Sequence, residues 1–200
     1  MNSRYRLFAV ILTAALTGCG GEGVPVPSDR FHRLTVAAPA KVYETPQLAG
    51  TLEVDRFNAA GVLQDRAILF IEHDTPNVIH RYDYHLWVDP PTRMLQIATV
   101  DYLKSAKVAD RVVKSGLRGV PSYTLSGDIK KLEHVVGNSS SVLVELEFGL
   151  RDQAKGNLVW VKSYTVNKPV GDDRVATATR AIGEAVEEIL ASLSADLARQ

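Results

Sequence analysis

The chain has 200 residues, 46% of them hydrophobic and 23% charged, which is enough for one buried core and too ordinary for a fibrous or disordered protein. The formal net charge is zero; of the 23 basic side chains Arg4 and Arg6 lie in the N-terminal segment, leaving 21 against 23 acids, a balance with no electrostatic pull towards nucleic acid. A single cysteine excludes an internal disulfide framework.

Arg4 and Arg6 form a positive region ahead of the apolar run Leu7 to Leu16. That run fits a signal peptide and falls short of the roughly 20 apolar residues of a membrane span. Residues 1–18 are therefore expected to be a signal peptide, and no later stretch is long and apolar enough to cross a bilayer. Cys19 follows, then Gly20-Gly21-Glu22-Gly23 and the proline-punctuated Val24-Pro25-Val26-Pro27-Ser28. Nothing around Cys19 supplies the positive, enclosed setting or the base that a nucleophilic thiol needs. The glycines lack the preceding strand and following helix of a phosphate loop. Residues 19–30 read as a tether, flexible and then stiffer, and residues 31–200 as a single domain.

In that domain Arg33 to Val36 predicts a short strand, and Gly50 to Phe57 a second with Leu52, Val54 and Phe57 pointing inward. Ala67 to Glu72 is apolar on both faces and reads as a central strand. Thr75-Pro76-Asn77 turns the chain into a strand from Val78 to Trp87, with Val78, His80, Tyr82, Tyr84 and Leu86 on one face and Ile79, Arg81, Asp83, His85 and Trp87 on the other. Pro90-Pro91 opens a helix to about Lys104 whose apolar stripe is Met94, Leu95, Ile97, Ala98, Tyr102 and Leu103. A strand near Val108 to Val113 follows. Tyr123 to Val136, Val142 to Phe148 and Leu158 to Tyr164, joined by short turns, predict an antiparallel meander. Asp172-Asp173 is expected to cap a helix from Arg174 to Arg199, with Val175, Ala178, Ile182, Ala185, Val186, Ile189, Leu190, Leu193 and Leu197 on its apolar face. The predicted class is α/β: a mixed, largely antiparallel sheet flanked by helices, ending in a long amphipathic helix.

Leu16-Thr17-Gly18-Cys19 resembles the lipobox of bacterial lipoproteins. The resemblance implies cleavage before Cys19, a diacylglycerol on its sulfur and an N-acyl chain such as palmitate on its amine. Two or more chains anchor stably, at about 0.8 kcal/mol per buried CH₂, where one is marginal. Gly20 is not the aspartate that retains many such lipoproteins in the inner membrane, which implies the periplasmic face of the outer membrane.

Tyr82, Tyr84, Trp87, Pro90, Pro91, Met94 and Leu95 form a strand of aromatics, a tryptophan, a proline pair and a helix opening Met-Leu. This stretch resembles the most recognisable segment of the ABC-type transport auxiliary lipoproteins. The lipobox, the strand after the tether, the C-terminal hairpin and the terminal helix match too, although Phe31-His32 stands where the family often has two tyrosines. The resemblance implies a three-layer α/β sandwich and an auxiliary subunit working with an MCE-domain protein and ABC transporter components that move lipid across the envelope. Nothing in composition or spacing itself shows lipid transport.

No catalytic or metal-binding residues are expected, and no cofactor beyond the lipid on Cys19. His80 and His85 would project to opposite faces of a regular strand, and His73 could meet His80 across the hairpin without a third ligand of recognisable spacing. There is no G-x-S-x-G, and Ser139-Ser140-Ser141 follows a turn signal. Glu145 and Glu147 share a strand face, as pairs on exposed sheet faces commonly do. Tyr82, Tyr84, Trp87, Pro90 and Pro91 are the candidate partner-binding residues, with packing under the first helix as the competing reading. The alternatives to a transport auxiliary are a binding or pilot module of another envelope assembly or secretion machine, and a periplasmic hydrolase. The oligomeric state stays open.

Overall fold

The computed structural model of the chain describes residues 27–116 and 119–200. The expected signal peptide, Cys19 and the tether as far as residue 26 lie outside the described residues. In chain order the elements are β1 (Arg30–His32), β2 (Leu48–Val54), β3 (Asn58–Ala59), a 3-10 turn (Gly61–Gln64), β4 (Ala67–Glu72), β5 (Thr75–Trp87), α1 (Pro91–Ser105), β6 (Ala109–Lys114), β7 (Tyr123–Val136), β8 (Ser141–Asp152), β9 (Asn157–Pro169) and α2 (Val175–Leu197).

Among the described residues the strands form one nine-stranded mixed sheet with β7 as its spine. One edge of β7 carries β8, antiparallel along nearly its whole length, and then β9, so the expected meander is present as the two longest ladders. The other edge is shared: early residues of β7 run parallel to β2 and β3, later ones parallel to β4. Beyond β4 lie β5, antiparallel, and β1, parallel; beyond β2 lies β6. The α/β class, the mixed sheet and the long C-terminal helix are as expected.

Period-two burial explains β8: Val142, Val144, Leu146, Phe148 and Leu150 are fully buried, while Glu145 and Glu147 face out towards Lys131 and Lys130. Leu52, Val54 and Phe57 point inward as predicted, and β4 buries Ile68, Leu69 and Ile71 between β5 and β7. All nine apolar positions predicted for α2 are buried. Each large aliphatic among them contributes about 1.5–3 kcal/mol through burial, far more than intrinsic propensity decides. The expected cap differs: Arg174 is the N-cap residue and makes no side-chain cap bond. Asp172 accepts the Arg174 backbone N–H at 3.0 Å and pairs with its guanidinium at 2.6 Å.

Helix α1 begins on Pro91, whose missing N–H has no partner to lose there. Its stripe departs from expectation twice. Ile97 is exposed, and Gln96 is buried because its Nε2 donates to the Val54 carbonyl at 3.0 Å and to Ser115 Oγ at 3.2 Å. The first strand is displaced as well. Sheet pairing occurs at Arg30–His32, while residues 33–36 keep their alternation, with Leu34 and Val36 half-buried, but cross towards the helices. Gly183 on α2 allows this crossing, since a Cβ there would collide with the Thr35 carbonyl oxygen.

The β4–β5 turn sits at His73-Asp74, two residues before the expected Thr75-Pro76-Asn77. Pro76 is tolerated inside β5 because β1 pairs only with His85, Leu86 and Trp87, leaving the outer edge there without a neighbouring strand among the described residues. β5 is also irregular. Tyr84 has φ 58°, and the β4–β5 register shifts between Ala67 and Leu69. The strict face assignment expected for Val78 to Trp87 fails at that point.

Candidate functional site

The irregularity of β5 gathers its aromatic and imidazole rings into one cluster. Phe70 of β4 stacks on His80 at 5.0 Å between centroids and meets Tyr82 at 4.4 Å. His85, expected on the face opposite Tyr82, instead meets its ring edge-on at 6.1 Å. His32 of β1 faces His85, with Nε2 2.9 Å from His85 Nδ1. His73 lies in the turn beyond the β4–β5 ladder with Nδ1 3.3 Å from Asp74 Oδ1, while His80 stacks on Phe70, so the two do not pair. Among the described residues no group of three His, Cys, Asp or Glu is placed to hold a metal ion.

Behind this cluster lies a polar chain that ends near the start of α2. Tyr82 Oη is 2.7 Å from Nδ1 of the fully buried His134, and His134 Nε2 is 2.9 Å from Ser140 Oγ. Ser140 Oγ in turn donates to the Asp172 carbonyl at 3.4 Å. Burial, reinforced by the charge of Asp173, pushes the Tyr82 phenol up to about 12. Because the Ser140 hydroxyl donates to the Asp172 carbonyl, it is left to accept from His134 Nε2–H, and the neutral Tyr82 hydroxyl then donates to Nδ1. Burial lowers the His134 pKa against the opposing pull of Asp173 and Asp172, favouring this neutral form. The polarity is the reverse of a nucleophile and its base, because the histidine donates to the serine instead of taking its proton. Tyr82 reaches His134 only through the β5–β4 and β4–β7 pairings, which no local pattern signals, whereas Ser140 lies six residues from His134 across the β7–β8 turn.

The five candidate partner-binding residues are divided by the fold. Trp87 is 1% exposed in the core, and Pro91 is buried in the first turn of α1. Tyr82 is held by His134, Pro90 is half-buried, and Tyr84 alone of the five is exposed, at 41%.

Two other surfaces are available for contact. A groove of about 550 Å³ runs between α1 and residues 33–39, lined by Leu34, Val36, Met94, Ile97 and Tyr102 with Arg33 at its rim. The second is β9, which has no strand beyond it among the described residues. Its opening stretch exposes Leu158 (52%), Val159 (38%) and Val161 (53%), without the charges, proline or short length that usually blunt an edge. Farther along, Lys162 and Lys168 are tied down to Asp196 and Glu188 of α2. Such an edge can accept an added strand through main-chain hydrogen bonds. No described helix is long and apolar enough to cross a membrane.

The model of the family described as ABC-type transport auxiliary lipoprotein component matches residues 32–194. The solved structure of protein XCC0632 from Xanthomonas campestris is similar, with 20% identity, a TM-score of 0.72, and coverage of 82% of this chain and 92% of that one. A second solved structure, of an uncharacterized protein, has 15% identity and a TM-score of 0.68, covering 85% of this chain and 99% of that one. At these identities the two structures speak for the fold. No curated protein matches the chain.

Proposed function

The chain belongs to the ABC-type transport auxiliary lipoprotein component family, and from that premise we propose that it is a membrane-anchored, non-catalytic periplasmic subunit of an ABC/MCE-type system moving lipid across the envelope. The observation that carries this reading is the family match over residues 32–194, which spans nearly the whole folded domain. Cys19, acylated on sulfur and amine, holds the chain to the periplasmic face of the outer membrane. The tether sets the reach of the domain, and the domain recognises an MCE-domain protein and the transporter through its exposed surfaces. Ser140 lies within a polar chain from Tyr82 through His134 to the Asp172 carbonyl, which supports a structural role for the His134–Ser140 pair.

Membrane fractionation tests the anchor. Cys19→Ala is expected to leave the domain folded and release it to the soluble fraction. A variant that stays with the membrane removes acylation of Cys19 from the account.

A further inference from the structure

We propose that the facing imidazoles of His32 and His85 form an acid-labile clasp that fastens β1, and with it the end of the N-terminal tether, to β5. β1 is three residues long and, among the described residues, pairs only with His85, Leu86 and Trp87. Around it, Phe31 is 55% exposed with the Arg66 guanidinium 5.1 Å from its ring, and the Val88 N–H donates to the His32 carbonyl at 2.9 Å. Among the described residues His32–His85 is the side-chain hydrogen bond that joins β1 to β5.

The surrounding partners set the proton order of the neutral pair. Thr179 Oγ1 donates to the Ala176 carbonyl at 3.1 Å, so towards His32 Nδ1, 3.5 Å away, it acts as an acceptor. His32 then carries its proton on Nδ1 and presents a bare Nε2 to the Nδ1–H of His85. One added proton is tolerated, because an imidazolium can donate across the same 2.9 Å gap. A second puts an N–H on both facing nitrogens and two like charges in contact, and the pair must part.

The charge that acts on both rings, Arg30 on β1, opposes that second proton. On the α2 side Arg33, Arg180, Glu184 and Glu187 share a cleft with Thr179, and Arg180 is paired with Glu184 at 3.1 Å. From β5 comes the neutral phenol of Tyr82, and from β7 the neutral His134 behind it. Asp172 and Asp173, before α2, act on that inner pair. The His32 pKa is lowered by burial, then by His85 and Arg30; that of His85 by burial, then by Arg30. With folded values below the ordinary one, the closed form favours neutral rings. It is secure above about pH 6.5 and weakens as pH falls below that value, by up to about tenfold per pH unit for each proton the open form binds in excess.

Opening frees the three residues of β1, lengthening the tether by about 10 Å at roughly 3.4 Å per residue. The clasp stands on its own geometry; only this effect on reach rests on the anchor proposed at Cys19.

Hydrogen exchange of the full chain in detergent, read at residues 28–34 and corrected for the intrinsic pH dependence, tests it. Between pH 7.5 and 5 the β1 amides should lose at least tenfold more protection than those of β8, and His32→Gln, which does not titrate, should abolish the pH dependence. Protection of wild-type β1 that keeps pace with β8 down to pH 5, or the same acid loss in His32→Gln, overturns the clasp. Imidazole proton resonances of the wild-type chain give a reading independent of any variant. Two separate titration steps for His32 and His85, the second below the ordinary range, support the clasp, and one shared step at the ordinary value overturns it.

Discussion

Gly183→Ala should destabilise the protein, although glycine inside a helix is normally a liability. At an open site in the middle of α2, alanine would gain about 1 kcal/mol from propensity. Gly183 is not open: its missing Cβ is the space occupied by the Thr35 carbonyl oxygen, a backbone atom that cannot rotate aside. Making room means lifting residues 33–36, which carry the half-buried Leu34 and Val36 packed against the core. Exposing two such side chains forfeits about 1 kcal/mol each, taking half of the roughly 1.5–3 kcal/mol of full burial. With the residual strain of the close contact, the net loss is about 1–3 kcal/mol after the helix gain is subtracted. At about 2–4 °C per kcal/mol for a domain of this size, Tm falls by roughly 2–12 °C. Thermal unfolding followed by far-ultraviolet circular dichroism reads this directly, and trypsin should cut faster at Arg30 and Arg33. A variant that melts higher than wild type would refute the close crossing of residues 33–36 over α2.

Tyr82→Phe removes the donor to buried His134 Nδ1 and should cost about 1–3 kcal/mol in urea unfolding, the usual penalty for an orphaned buried acceptor; an unchanged midpoint would show that the relay does not stabilise the fold. Asp196→Asn should flatten the acid limb of stability. Burial pushes the Asp196 carboxyl up, but hydrogen bonds from Lys162 and Tyr164 outweigh it and leave the pKa lowered. Its stabilising effect is therefore present above about pH 4 and lost as pH falls further. The wild-type advantage over the variant, measured by urea midpoints at pH 7, 4 and 3, should shrink with acidity, and a constant difference contradicts the assignment.

What the sequence revealed and what it hid follow from the range of the interactions. The apolar face of α2 repeats at three and four residues, and that of β8 at two, so both are local signals that survive folding unchanged. The position of Gln96 was hidden because its satisfaction depends on the Val54 carbonyl, 42 positions away. The parallel attachment of β2, β3 and β4 to one strand was hidden likewise, since no turn connects them to β7. β5 misled for a different reason. Its alternation was real up to Tyr82, and one left-handed residue, Tyr84, broke the phase. That break brought His85 to Tyr82 and divided the predicted partner-binding residues, burying Trp87 while exposing Tyr84. The anchor proposed at Cys19 rests on its flanks alone.

The most direct test of the account is affinity purification of the full-length chain from native membranes after mild detergent extraction. An auxiliary subunit of an ABC/MCE system should bring down an MCE-domain protein together with the transporter's ATPase and permease, and Cys19→Ala, lacking the anchor, should recover less of them. Recovery of secretin or pilus components in their place, with no MCE-domain protein, would contradict it.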